Sequence, residues 1–462
     1  QESEHHTLSL TYSKRFLTNN KWSIRYNFQN NNRKEFDIRK NENKGKAAID
    51  LLLKTHSLNT DFEWKPSSST SQLSGLFFQL QDNFSDPETD VKRLVPDYLK
   101  YKYGGYATLD FSPSNNFNFE LGIRLEHQDI EVQKFYNDKL WKDENYQDDF
   151  GQYIIREVSS QKLIKRNLKF NNISLNTGLK TTLFPKTTVS VNYYLTQRAP
   201  DISELFSEGL HHSLATLEYG NPYLDNAIYH NVTMRFFSFN LFNFTNIFAF
   251  VNYNKKIDEI TNAVNYIGID RVNSPINSAA VNDAVTASLG YQRRIKVYKI
   301  SFRGTWNYSL TNNLIENQRN SNTSFTQNYN VSFGTNFKNA PNIDVGYKVS
   351  LNSYEGTNVS TSFTNHQPYA EFEWYFLDGF LFNMEYRYNN YKASTGPSSI
   401  YDFLDARLGY QKKDSKWEYF LSGTNLLNTE FIRTDSFSNS VTSTQEVYVL
   451  PRYITIGVKY DL

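Results

Sequence analysis

From Ile300 the chain alternates without a break: Ile300, Phe302, Gly304, Trp306, Tyr308 and Leu310 on one face, Ser301, Arg303, Thr305, Asn307 and Ser309 on the other. A period of two residues belongs to an extended strand, whose successive side chains point to opposite faces, and no helical spacing reproduces it. The pattern returns where Ala370, Phe372, Trp374 and Phe376 alternate with Glu371, Glu373 and Tyr375. It returns again where Phe382, Met384, Tyr386 and Tyr388 alternate with Asn383, Glu385, Arg387 and Asn389. In the last stretch Ile454, Ile456, Val458, Tyr460 and Leu462 alternate with Thr455, Gly457, Lys459 and Asp461. About 19 such segments can be marked, each near the ~9–11 residues that cross a bilayer as a tilted strand.

The connections between segments alternate in length. Short ones fall at Thr18–Lys21, Pro113–Asn116, Pro185–Lys186, Lys338–Asn342, Leu377–Gly379 and Lys413–Lys416. Long ones fall at Asn30–Lys46, Asp82–Pro96, Glu131–Arg166, Arg198–Asn226, Lys255–Ala279, Thr311–Thr326 and Thr429–Gln445. Tight turns on one side and long loops on the other are the signature of an outer-membrane barrel, whereas a propeller or sandwich has no reason to lengthen every second connection. The expected fold is all-β: one antiparallel transmembrane β-barrel over residues 1–462, with short periplasmic turns and long external loops.

Composition agrees. Aromatic residues make up 16% of the chain, with Tyr 33 and Phe 35, yet mean hydropathy is −0.62. That mixture suits a sheet with one apolar and one wet face better than a soluble core of Leu, Ile and Val. The net charge of +1 gives no field that would recruit nucleic acid. With no cysteine, disulfides, thiol catalysis and Cys-based metal sites are excluded. The opening QESEHHTLSL lacks the basic start and apolar core of a signal peptide. Arg303, Glu371, Glu373, Glu385 and Arg387 are expected to line the lumen. Phe236, Phe237, Phe239, Phe242 and Phe244 flank a short turn and are expected in the periplasmic aromatic girdle.

Topology adds an expectation. If the last strand closes the barrel and ends in the periplasm, Arg198–Asn226 lies outside and the first strand starts outside. An odd strand count conflicts with the even count of bacterial barrels. Roughly three further strands are therefore expected upstream, for a plugged barrel of about 22 strands.

The stretch TQRAPDISELFSEGLHHSLATLEYGNPYLDN, residues 196–226, departs from the alternation. Its Asp201, Ser203 and His211 offer a hydrolase's residue types, but there is no Gly-x-Ser-x-Gly elbow. Adjacent His211 and His212 on an extended segment point apart, so they do not chelate one metal together. No calcium loop, phosphate cradle or metalloprotease spacing occurs elsewhere. The expectation is no catalytic residue, no metal and no cofactor, with a structural loop in which a histidine contacts ligand.

Taken in order, Gln197-Arg198-Ala199-Pro200, Glu204-Leu205-Phe206, Gly209-Leu210-His211-His212, Glu218-Tyr219-Gly220-Asn221-Pro222 and Leu224 resemble the barrel motif of TonB-dependent outer-membrane receptors. The family usually carries a glutamate where Ala227 stands. Thr424-Asn425-Leu426-Leu427-Asn428 resembles its penultimate strand, and Pro451-Arg452-Tyr453 through Leu462 its closing strand, read by the barrel-insertion machinery, here with Leu462 in place of the common Phe. The resemblance implies a plug and a TonB-contacting segment, both placed upstream by the family pattern. It also implies an active transporter in the outer membrane, coupled to a TonB-type protein and importing a scarce ligand such as a ferric chelate, a corrinoid or an oligomeric nutrient. A passive pore, an outer-membrane enzyme and a non-transporting subunit of an envelope assembly are the alternatives. A lipoprotein partner is compatible with the first and last.

Among the loops, Glu131–Arg166 mixes acids with aromatics and Asn30–Lys46 is basic, which suits contact with lipopolysaccharide or with ligand. Expected ligand contacts are His211, His212, Tyr219, Trp141, Tyr146 and Arg271. Arg198, Pro200, Glu204, Leu205, Gly209, Gly220, Asn221, Pro222 and Leu224 are expected to be structural, and Tyr460 and Leu462 to belong to the closing strand.

Overall fold

The structure, a computed structural model, describes residues 2–16, 20–38, 46–83, 97–137, 161–206, 210–213, 216–267, 270–316, 318–357, 360–394, 398–413, 415–438 and 441–460. The chain runs up and down. Its first hairpins are β1 (Glu2–Phe16) with β2 (Asn20–Ile38), β3 (Lys46–Ser67) with β4 (Thr70–Asn83), β5 (Asp97–Ser114) with β6 (Phe117–Asn137), and β7 (Gln161–Phe184) with β8 (Thr187–Arg198). A short helix α1 (Ile202–Phe206) and two small strands, β9 (Leu210–Ser213) and β10 (Thr216–Glu218), lead to β11 (Ala227–Asn240) and its partner β12 (Thr245–Ile257). The hairpin β13 (Ile260–Ile267) and β14 (Asp270–Asn277) precedes β15 (Asn282–Ile295), β16 (Tyr298–Ile315), β17 (Gln318–Thr335) and β18 (Asn342–Glu355). Then come β19 (Ser360–Phe376), β20 (Phe380–Ala393), β21 (Ser399–Gln411) and β22 (Trp417–Thr424). A separate hairpin, β23 (Phe431–Ser438) with β24 (Val441–Tyr448), stands before the last strand, β25 (Tyr453–Tyr460).

The main sheet holds 23 strands, and setting aside the loop strands β9, β10, β13 and β14 leaves nineteen in the wall. Each wall strand runs antiparallel to its neighbours, including across the long connections, where β8 pairs β11, β12 pairs β15 and β22 pairs β25. Nineteen alternating directions leave the first and last strands running the same way. Among the described residues β1 pairs only with β2, and β25 only with β22.

Side chains sort by face as the alternation predicts. Leu121, Ile123 and Leu125 of β6 and Ile454, Ile456 and Val458 of β25 are exposed, which marks the lipid-facing surface. The polar series is hydrogen-bonded inward: Asn231 Nδ2 donates to Asn252 Oδ1 at 2.8 Å, and Gln367 Nε2 to Asn389 Oδ1 at 2.6 Å. At the short-turn end, Lys186, Phe244, Lys296, Leu377 and Asp378 have positive φ, as tight hairpin turns require.

Three expectations need correction. Thr311–Thr326 is not a loop: β16 and β17 stay paired out to Ile315 opposite Gln318, with Glu316 just past the end of β16 at φ 47°. Wall strands likewise reach 24 residues in β7 and 22 in β3, well beyond one bilayer crossing. Above the apolar band, water wets both faces, so a ladder continues there without any hydrophobic alternation. The phenylalanine cluster is also not one lipid-facing girdle. Phe236 takes the lipid face, whereas Phe237 shares a row with Phe248, Gly290 and Arg303 on the polar face. Finally, Asn425 lies past the end of β22, so 424–428 is a corner. Asn425 and Asn428 have φ of 51° and 60°. The buried Asn425 side chain donates to the carbonyls of Thr429 and Leu450 at 2.8 and 2.9 Å and accepts from the Thr429 N–H at 2.9 Å.

Candidate functional site at the loop end

Residues 199–226 connect β8 to β11 at the loop end, and the corner is held by Arg198. Its guanidinium grips Glu204 with two bonds, Nη1 to Oε2 at 3.1 Å and Nη2 to Oε1 at 2.9 Å, and Nη1 reaches Asp201 Oδ2 at 3.1 Å. Glu204 Oε2 also accepts from the Asp201 backbone N–H at 2.7 Å. A carboxylate reaching back three residues to the helix-capping residue is one half of a capping box, so the five-residue α1 is fixed by its own side chains. Asn221 N–H then donates to the Glu204 carbonyl at 2.7 Å, closing the segment on itself.

The underside of this corner is apolar. Ala199, Ile202, Leu205 and Leu224 pack with Tyr98 of β5, Ile130 and Val132 of β6 and Phe170 of β7. Leu205 is 1% exposed and Pro200 is among the most buried side chains. Tyr98 and Val132 occupy one row, and Phe170 lies opposite Gln128 on the face that also carries Lys102 and Glu126. The corner is therefore seated on the polar face of the wall, inside the mouth. Ala227, where the family usually carries a glutamate, is fully buried. Its neighbour Asn226 ties the end of the motif to the wall, donating to the Asn171 carbonyl at 2.7 Å.

Sequence reasoning missed the partner of this corner, the β13–β14 hairpin. β10 pairs in parallel with β14, Thr216 opposite Arg271 and Glu218 opposite Asn273. Tyr219 N–H donates to the Asn273 carbonyl at 2.9 Å, Asn221 Nδ2 to the Pro275 carbonyl at 3.0 Å, and Asp225 N–H to Asn277 Oδ1 at 2.8 Å. β13 in turn pairs in parallel with β16, at Ala263 opposite Leu314. The only sequence signal was the density of Asn and Pro in both loops.

Of the expected ligand contacts, Tyr219 and Arg271 are thus brought to one corner. Arg271 is exposed, and its Nε donates to Asn273 Oδ1 at 3.1 Å. His211 and His212 lie on β9, with His211 opposite Leu217 in the backbone register. Trp141, Tyr146, Gly209 and Leu462 lie outside the described residues. Gly220 and Pro222 flank Asn221, whose Oδ1 accepts from the Tyr223 N–H at 3.0 Å. Tyr223, which the sequence did not single out, is 79% exposed with the Arg166 guanidinium 5.4 Å from its ring centre. Together they form an exposed aromatic and cationic surface. Tyr460 lies in β25, opposite Trp417.

Lower in the lumen two charged patches face inward. On β5–β7, Glu126 takes Lys102 at 2.8 Å and Arg124 at 3.4 Å, and Asn176 donates to Glu120 at 2.6 Å. On β18–β21, Asp344, Glu371, Glu385 and Asp405 stand directly opposite one another in a single row. They border a groove of about 570 Å³ that Glu373 and Arg407 also line. Among the described residues no group of three or more His, Asp or Glu is arranged to hold a metal ion.

Comparison with known proteins places this geometry. A family model described as "TonB dependent receptor-like, beta-barrel" matches residues 1–282. No curated protein sequence matches the chain. Among solved structures, the chain resembles the siderophore receptor PirA from Acinetobacter baumannii at 10% identity, covering 99% of this chain and 78% of that one with a TM-score of 0.39. It resembles the ferric yersiniabactin uptake receptor FyuA from Yersinia pestis at 8% identity, 100% and 71% coverage and a TM-score of 0.40. It resembles the hemophore receptor HasR of Serratia marcescens at 12% identity, 99% and 71% coverage and a TM-score of 0.44. With more than half of its residues matched by the family model, the chain belongs to the TonB-dependent receptor-like β-barrel family.

Proposed function

We propose that this chain is the wall of an active outer-membrane importer whose ligand is first held at the loop-end mouth. The observation that carries this reading is the seated motif: Arg198, Asp201 and Glu204 lock a corner inside the mouth, and that corner anchors Tyr219, Tyr223 and, through β14, Arg271. A rigid base presenting aromatic and cationic side chains suits selective capture of a scarce, anionic ligand such as a ferric chelate; a corrinoid or an oligomeric nutrient would use the aromatic surface alone. Energy would come from a TonB-type partner acting through a segment upstream of the wall. β25 would be the strand read by the insertion machinery, and lipopolysaccharide and a lipoprotein companion would contact the outer face and loops.

The same reading accounts for the edges of β1 and β25 that have no partner strand among the described residues. β1 and β25 run the same way, so closing the barrel with antiparallel pairs needs an odd number of further strands between them. Three would give the expected 22. Unpaired strand edges in hydrocarbon are untenable, because each bare N–H and C=O costs several kcal/mol there, on the order of the price of a lost hydrogen bond in an apolar medium.

Two measurements test the importer. Cells carrying the full-length gene should accumulate labelled ferric chelate or cobalamin only when the TonB-type coupling protein is present; uptake unaffected by its deletion contradicts the proposal. The full-length protein in a planar bilayer should not conduct ions freely, and a steady open-channel current would make it a passive pore.

A further inference from the structure

The inner faces of β8, β11, β12, β15, β16 and β17, neighbouring strands of the wall, carry no Asp or Glu over their paired lengths. They carry Arg235 on β11 and Arg303 on β16, and the next strand, β18, adds Lys348. All three cations are exposed. Among the described residues none of them has a carboxylate within ion-pair distance.

Each cation lies over an aromatic ring instead. Arg303 Cζ is 5.4 Å from the centre of the Phe248 ring, Arg235 Cζ 5.8 Å from that of Phe250, and Lys348 Nζ 4.8 Å from that of Tyr369. Two glycines admit the rings. Gly290 stands between Phe248 and Arg303 in one row, and a Cβ there would meet the Phe248 ring at 1.9 Å. Gly346 stands opposite Tyr369, two residues from Lys348, and its Cβ would meet the Tyr369 ring at 2.2 Å. Both rings therefore lie across the bare backbone of a neighbouring strand and reach a cation there. A ring steadies a guanidinium or ammonium from one side, and the exposed N–H groups remain for an anion.

Register fixes the spacing. Arg303 and Lys348 share a row two strands apart, and Arg235 lies three strands from Arg303, one step nearer the loop end. At ~4.8 Å between strands, successive cations are ~10 and ~14 Å apart. Each is five or six residues from the short-turn end of its strand. At ~3.3 Å per residue and a tilt near 45°, that is ~12–14 Å up the lumen. The corner holding Tyr219 and Tyr223 lies beyond Arg198, at the opposite end of β8. Past Lys348 the wall changes sign, because the row Asp344–Glu371–Glu385–Asp405 begins four residues below it on β18.

We propose that this acid-free sector is a second, lower binding station for a polyanionic ligand, one with negative groups ~10–15 Å apart that match the cation spacing. The arginines and the lysine would take the anionic groups through charge-assisted hydrogen bonds, and the rings would cover the apolar parts between them. The acid row repels the same ligand, which keeps it on the β11–β18 side of the lumen. The ligand's arrival from the mouth rests on the importer reading; its binding to the wall does not.

The test uses the full-length protein in detergent micelles with a single cysteine on the inner face, to which these 462 residues add none of their own. Ser288→Cys places it in the row of Arg235, one step from the row of Arg303, and Asn383→Cys places it between Glu373 and Glu385. Each thiol is reacted with methanethiosulfonates bearing a sulfonate or a trimethylammonium group, and the ratio of the two rates cancels differences in thiol reactivity. Ser288→Cys should favour the anionic reagent by about sevenfold at low salt, the ratio that a local potential of about one kT gives between opposite unit charges. Asn383→Cys should favour the cationic one. Ferric citrate, a polyanionic chelate, should slow both reagents at Ser288→Cys and neither at Asn383→Cys. Adding Arg235→Gln, Arg303→Gln and Lys348→Gln should bring the ratio at Ser288→Cys to about one and remove the protection. If that variant does not fold, the two single-cysteine proteins still decide the matter. Equal preference at both positions, or no protection by ferric citrate, overturns the proposal. Exclusion of both reagents from Ser288→Cys also overturns it, by assigning the sector to a protein segment packed against it. Uptake that needs the coupling protein, combined with any of these results, would leave the importer standing and remove the station.

Discussion

Two patches of the inner wall carry similar residues in opposite arrangements. On β3–β7 the charges are complementary: Glu126, 11% exposed, is flanked by Lys102 and Arg124, Tyr106 donates to Asp61, and Arg124 lies 3.8 Å over the Phe77 ring. On β18–β22 they are not. Asp344, Glu371, Glu385 and Asp405 are direct cross-strand neighbours, and of the two arginines nearby, Arg407 is engaged by Glu418 at 2.8 Å while Arg387 serves both Glu385 at 2.9 Å and Asp405 at 3.6 Å. Among the described residues no cation lies within ion-pair distance of Asp344, Glu371 or Glu373, and Asp344 Oδ1 is buried without a hydrogen-bond partner. Like charges directly opposite one another on a sheet destabilise it. One patch therefore contributes to the stability of the wall, and the other weakens it.

Three substitutions sharpen that contrast, each read as a shift in the unfolding midpoint of the protein in lipid. Glu126→Gln should cost most, about 2 kcal/mol, because it leaves two partly buried cations without their anion. Gly104→Ala should cost about 1–2 kcal/mol, within the range for overpacking and no more than the first. Its added methyl would meet the Leu125 carbonyl at 2.0 Å and the Phe77 ring at 2.9 Å, lifting that ring from beneath Arg124. Glu371→Gln should do the reverse and stabilise by about 0.2–1 kcal/mol, by relieving repulsion from Asp344 and Glu385. If Glu371→Gln destabilised as much as Glu126→Gln, the two patches would not differ in kind.

Neither patch could be found from sequence, though Glu371, Glu385 and Arg387 were legible as lumen-facing from their alternation with Phe372, Met384 and Tyr386. Period two fixes which face a residue takes. It does not say which residue on the next strand stands opposite, and the row Asp344–Glu371–Glu385–Asp405 exists only through that register. The same limit explains the loop end. Apolar alternation stops at the hydrocarbon boundary while β16 and β17 continue to pair, so a hairpin was expected to be a loop. The motif at 196–226 was legible as a corner because Arg198, Glu204 and Asn221 interact within it. Its clasp on Asn273 and Asn277 joins two loops some fifty residues apart in sequence (Asp225 to Asn277, |i−j| 52), which no local pattern reports.

The proposed closure of the wall by strands from outside it can be measured most directly with cysteine pairs, and these 462 residues contribute no cysteine of their own to compete. Leu10→Cys on β1 is to be combined in turn with Cys at Ile454, Ile456 or Val458 on β25, in the full-length protein, and oxidised in the membrane. A disulfide needs Cα atoms within about 7 Å, which adjacent strands satisfy and strands separated by others do not. With an odd number of strands between β1 and β25, none of these pairs should form a cross-link. A control pair, Leu10→Cys with Tyr26→Cys on the neighbouring β2, should form one readily. A cross-link between β1 and β25 would show the wall closing on itself as a parallel pair and would contradict the account.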